Sequence, residues 1–181
     1  FLEADAGRLR LVRVAELMDR WQTASQLPRR EYPAHWILGA GGPDRLAAAV
    51  REYLRDAEQQ RQKRANLDPP NVCLGLFAAA ERLDLGFVHG AIPHLYVQSP
   101  DEGDLRNLGL AIGRPGKSAD VMVRFAPRTG SVFRGAVRAA GLPAADVLQV
   151  WLDVQSHPAQ GRQQADEIRR RVLRPLFSEK A

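Results

Sequence analysis

Apolar residues recur along the chain with two periods, and segments of the two kinds alternate. From Leu2 to Val14, apolar Leu9, Leu11 and Val14 alternate loosely with Arg8, Arg10 and Arg13. Asp5-Ala6-Gly7 supplies a turn, so a short hairpin is predicted. Ala15–Ala24 follows as a helix with Leu17, Met18 and Trp21 on one face. Glu31–Leu38 reads as a strand, which Pro33 demotes to a sheet edge because proline has no N–H to give. Gly39–Gly42 is a break. Pro43-Asp44 then opens a long helix with Leu46, Val50 and Leu54 in its apolar stripe. Beyond Asp56 that helix is polar down to Asn66, and Asp68-Pro69-Pro70 stops it.

The remaining chain alternates short strands with short helices. Strands are predicted at Asn71–Leu76, Ile92–Gln98 and Ala119–Phe125, and helices at Phe77–Leu83 and Asp101–Leu110. Gly141-Leu142-Pro143 reads as a turn into a helix over Ala145–Gln155, with Val147, Leu148, Trp151 and Leu152 inward. The last helix, Gln160–Phe177, is apolar at Ala165, Ile168, Val172 and Leu176. Such alternation predicts an α/β (α+β) fold, a small mixed sheet flanked by helices. At 181 residues the chain is one substantial domain, or one domain and part of another. A boundary is expected between Gln26 and Glu31, or at the Gly39–Gly42 break.

Charge changes the picture. The formal net charge is +5 and, of 26 basic residues, only Lys63, Lys117 and Lys180 are lysine. The planar two-pronged donor of arginine suits phosphate, so a nucleic-acid partner is one reading. A GC-rich coding bias that replaces lysine everywhere is the other. The lone Cys73 forms neither an internal disulfide nor a zinc cage, which predicts a cytoplasmic protein. No apolar run approaches the ~20 residues that span a bilayer, so no membrane partner is expected. The chain opens on Phe1, not Met, which suggests a segment upstream.

The catalytic search returns little. GAGGPD at Gly39–Asp44 is neither GxGxxG nor a P-loop, and Pro43 removes one amide that a phosphate cradle would use. NVCLGLFAAAE has the strand–glycine–helix layout with which nucleotidyltransferases open their active site. Such enzymes follow it with two aspartates that hold Mg²⁺. Here Leu76, not serine, follows Gly75, and the next strand, His94–Gln98, carries no carboxylate. Asp101, Glu102 and Asp104 suit a helix start, and Asp120 is single. His35, His89, His94 and His157 are scattered and read as surface or capping residues. No serine lies in GxSxG, and Cys73 sits in an apolar strand pattern. Trp21 and Trp151 are expected as core anchors. No catalytic residue, metal site or cofactor is therefore expected.

The basic features remain. Arg8, Arg10 and Arg13 lie on or just after the hairpin, and a basic hairpin opening into a helix looks like the wing of a winged-helix module. Arg162, Arg169, Arg170, Arg171 and Arg174 decorate the last helix, where Asp166–Arg170 and Glu167–Arg171 are i, i+4 pairs. That helix reads equally as a solvated face or as a phosphate-contacting one. The DNA-contact candidates are Arg8, Arg10, Arg13, Arg162, Arg169 and Arg170.

From about Val72 to Val172 the chain resembles the C-terminal domain of AbiEi-family antitoxins, the transcriptional regulators of bacterial type IV toxin–antitoxin systems. The resemblance rests on GLFAAAERL, HLYVQS, ADVMVRF, VFRGAV, GLPAADVLQVWLDV and HPAQGRQQADEI. GRLRLVRVAELMDRW is similar to that family's junction of wing and linker helix. The resemblance implies a distantly nucleotidyltransferase-like domain over 31–181. Residues 1–30 would be the wing remnant and linker helix of an N-terminal winged-helix module. It further implies operator DNA as one partner and a nucleotidyltransferase-like toxin as another. A divergent nucleotidyltransferase and a protein-interaction module without nucleic-acid binding are the alternatives.

Overall fold

The computed structural model describes residues 1–5, 7–25, 30–39, 41, 44–64, 71–86, 88–98, 102–113, 118–126, 131–158 and 161–175; the side chains of residues 5, 8–10 and 102 are outside the description. Two compact units make up the chain: Phe1–Pro28 with Trp151–Ala181, and Arg29–Val150. Residues 151–181 thus group with the N-terminal segment, whereas the sequence placed them with 31–150.

The unit of residues 29–150 is built on a seven-stranded mixed sheet. Its strands are β3 (Glu31–Trp36), β4 (Val72–Gly75), β5 (His94–Val97), β6 (Leu110–Ile112), β7 (Val121–Phe125), β8 (Val137–Ala139) and β9 (Leu142–Ala144), in the order β6-β3-β7-β5-β4-β9-β8. Only the β5–β7 and β4–β9 pairs are parallel. Alternation gives the sheet two unlike faces. The register aligns Ala34, Val121, Val123, Leu95 and Leu74 on one face, all buried. The other carries Glu31, Arg124, Tyr96, His94 and Cys73.

The helices of this unit are α2 (Arg45–Lys63), α3 (Leu76–Arg82), α4 (Glu102–Asn107) and the single turn α5 (Ser131–Arg134). Helix α2 buries Leu46, Ala47 and Val50 and leaves its second half in solvent. Tyr53 of α2 donates to Asp104 of α4 at 2.9 Å. Helix α6 (Val147–Gln155) carries the chain out of the unit. Asp146 caps α6, its Oδ1 accepting the amides of Leu148 at 2.8 Å and Gln149 at 3.0 Å.

Three expectations are corrected here. Strand β3 is not an edge: β6 pairs on one side of it and β7 on the other. Pro33 is tolerated because its missing N–H faces the end of β6, where Gly113 N donates to Pro33 O at 2.7 Å. Leu110 ends no helix. Gly109, at φ +74°, turns the chain after α4, and Leu110 starts β6. Leu142-Pro143 is no turn but the start of β9 in the β8–β9 hairpin. Its bend is Ala140-Gly141, with φ +50° and +78°, the double left-handed conformation of a two-residue hairpin loop.

The other unit contains the hairpin β1 (Leu2–Asp5) and β2 (Arg8–Leu11), helix α1 (Val14–Ser25), the end of α6, and α7 (Gly161–Ile168). The final predicted helix is not α-helical throughout: Arg169–Leu173 forms a π turn directly after α7. A π turn takes one residue more per hydrogen-bonded loop. After Ile168 the next fully buried position is therefore Leu173, not the expected Val172, which is half-buried. Trp151 is fully buried, as expected; Trp21 is 38 % exposed, because only Met18 of α1 is buried. Gln160 and Leu176 lie outside the described residues. Among the described residues no helix is long and apolar enough to cross a membrane.

Candidate nucleic-acid interface

In the unit of residues 1–28 and 151–181, Val14, Ala15 and Met18 of α1 face Asp166, Arg169, Arg170 and Arg174 across a groove of about 550 Å³. The π turn is what brings Arg169 and Arg174 to one wall. Arg169 and Arg174 are five residues apart, a separation that an unbroken α-helix would rotate away from one face. Arg174, which is not among the DNA-contact candidates, also lines the groove.

The six candidate arginines are only partly brought together. Arg169 and Arg170 line the groove. Arg162 is exposed on α7, two turns and so roughly 10 Å before Arg169. Arg162 and Arg169 have no ion pair among the described residues. Arg8 and Arg10 lie on β2, opposite Asp5 and Glu3 in the hairpin register. Arg13 is exposed at the entry to α1 with φ +52°. Its guanidinium lies 5.1 Å from the Phe1 ring centroid and 3.7 Å from Glu16.

Of the two i, i+4 pairs expected on the last helix, Glu167–Arg171 is present among the described residues and Asp166–Arg170 is not. Arg170 is held by Glu167, not Asp166, with Nη2 2.8 and 2.7 Å from the two carboxylate oxygens. These hydrogen bonds and the charge of Glu167 raise the Arg170 pKa above its ordinary value. Arg171 lies 3.9 Å from the same carboxylate. The longer glutamate side chain reaches across the i, i+3 spacing, whereas Asp166 has no ion pair among the described residues.

The strand–glycine–helix unit takes a form unlike a phosphate site. The Tyr96 ring packs against Gly75, and a Cβ built on that glycine would stand 2.8 Å from it. Leu76 has φ +43°. Beside them a cation is already built in: Arg124, 5 % exposed, donates through Nε to Glu31 Oε1 at 2.6 Å and through Nη1 to Tyr96 Oη at 3.1 Å. His94 is buried too, its Nδ1 3.0 Å from Ile92 O, which corrects its reading as a surface residue. Among the described residues no three His, Cys, Asp or Glu side chains gather to hold a metal ion. Cys73 is fully buried.

No protein-family model matches the chain, and neither a curated protein nor a solved structure matches it at significance.

Proposed function

We propose that this chain is a non-catalytic, DNA-binding regulator of the antitoxin type that the AbiEi resemblance implies. In this reading residues 1–30 are the wing and linker helix of a winged-helix module, and residues 31–181 are a distantly nucleotidyltransferase-like antitoxin domain. The protein works in the cytoplasm, on operator DNA and against a nucleotidyltransferase-like toxin. The single observation that carries the reading is the arginine-walled groove between α1 and the π turn. Arg169, which has no ion pair among the described residues, can bind phosphate oxygens and release the counterions condensed on DNA. The Tyr96 ring against Gly75, with the Arg124 guanidinium beside it, is the support for a non-catalytic role.

Fluorescence anisotropy with a short labelled duplex tests it. Affinity is expected to fall linearly on a log–log plot between about 50 and 200 mM salt, with a slope near −0.9 per phosphate contacted. Arg169→Ala should make that slope shallower by about one. Binding that is absent at the lowest salt, or that does not respond to salt, overturns the proposal.

A further inference from the structure

A second cavity, of about 520 Å³, opens in the unit of residues 29–150, and none of its walls belongs to the arginine groove. Its floor is apolar: Leu46 and Ala47 of α2, Leu74 of β4 and Phe77 of α3. Trp36, the last residue of β3, forms one wall, and the Arg45 guanidinium lies 4.2 Å from its ring centroid. A concave site of this volume with few polar groups suits a small organic ligand.

Those polar groups converge. Trp36 and Asp120 both line the cavity, and Gly41 brings their polar atoms close together: a Cβ built on it would stand 2.9 Å from Trp36 Nε1 and 3.4 Å from Asp120 Oδ1. The other Asp120 oxygen is committed: Oδ2 accepts the Trp36 backbone N–H at 3.0 Å and lies 3.7 Å from His35 Nδ1. Trp36 Nε1 and Asp120 Oδ1 have no hydrogen-bond partner among the described residues. The same holds for Glu81 and His89, which also line the cavity. Arg82 pairs only loosely, at 3.9 Å, with an Asp44 side chain that is 95 % exposed.

We propose that this cavity binds a nucleoside monophosphate unit. Every nucleobase carries a donor next to an acceptor on its Watson–Crick edge, the complement of Asp120 Oδ1 and the indole N–H. Trp36 and Phe77 supply aromatic surface to the base. Glu81 accepts from the sugar hydroxyls, and Arg82, with His89, takes the phosphate. The same unit occurs in a free mononucleotide and in a single strand. Neither source needs the arginine groove, so the proposal stands apart from duplex binding.

Isothermal titration of the full chain with AMP, GMP, CMP and UMP, with ribose 5-phosphate, and with short single-stranded oligonucleotides tests it. At least one mononucleotide is expected to bind in the micromolar-to-millimolar range, with ribose 5-phosphate about tenfold weaker or more. Asp120→Asn should weaken mononucleotide binding about tenfold, the loss of one charge-assisted hydrogen bond. Gly41→Ala puts a methyl within 2.9 Å of Trp36 Nε1, so the indole must shift, and should abolish binding; the melting temperature of the variant is followed alongside. Arg169→Ala should leave it intact. Oligonucleotides that bind more tightly and compete identify a single strand as the source; mononucleotides alone identify a free ligand. No binding of any mononucleotide at millimolar concentration overturns the proposal, as does binding that survives both Asp120→Asn and Gly41→Ala.

Discussion

The Tyr96 ring and the Cα of Gly75 are in direct contact across the β4–β5 pair, close enough that a methyl on the glycine would have to displace the ring. The ring is fixed from its other end, where the Tyr96 hydroxyl accepts from buried Arg124. Gly75→Ala is therefore expected to destabilise the protein by about 1–3 kcal/mol, the usual cost of overpacking. In a Tyr96→Ala background the added methyl meets a cavity, and that cost should largely vanish. Urea denaturation of the four members of the cycle measures the coupling. Additive effects would show that the two residues do not contend for one space.

The Ala140-Gly141 bend joining β8 and β9 gives a prediction of opposite sign. Alanine in the left-handed region costs roughly 1–2 kcal/mol relative to its preferred conformations. Asparagine tolerates that region better and does not add backbone freedom to the unfolded chain as glycine does. Ala140→Asn should stabilise the protein by about 0.5–1 kcal/mol, with an unchanged denaturant slope. A lower melting temperature would mean that the φ of +50° is not what limits this turn.

The π turn is tested by a pair of truncations. Leu173 is buried and Val172 is half-buried. Leu173→Ala should cost about 2–4 kcal/mol and Val172→Ala less than ~1 kcal/mol. Thermal unfolding ranks the two directly. The reverse ranking would restore the plain α-helical stripe that periodicity suggests.

These examples also show what was legible in the sequence and why the rest was not. Strands β4, β5 and β7 and helices α1, α2 and α6 announced themselves, because each has enough residues to display its own period. Strands β6, β8 and β9 have three residues each, too few to show alternation, and their places are set by neighbours distant in sequence. Pro33 misled for a similar reason: whether a missing N–H matters depends on what faces it, and β6 ends there. Of the candidate interface, the arginines of the last helix could be read directly. The alignment of Arg169 with Arg174 depends on a single extra residue in one helical turn, which leaves no mark in composition. Trp36 and Asp120 are 84 positions apart and meet only through the β3–β7 pairing.

The last prediction concerns how much of the basic wall is free to act. Glu167 occupies Arg170 with both carboxylate oxygens and attracts Arg171 as well, so Arg169 carries more of the available charge than its neighbours. Removing that carboxylate should release donors already positioned at the groove. Glu167→Gln keeps the size of the side chain and is expected to tighten duplex binding several-fold, while the salt slope steepens by about one as a further phosphate contact forms. Asp166→Asn is the comparison, since it removes the same formal charge from the groove wall itself but frees no arginine. Anisotropy titrations across a salt series compare the two variants. A gain from Asp166→Asn equal to that from Glu167→Gln would reduce the effect to bulk charge, and the hold of Glu167 on Arg170 would then have no bearing on DNA.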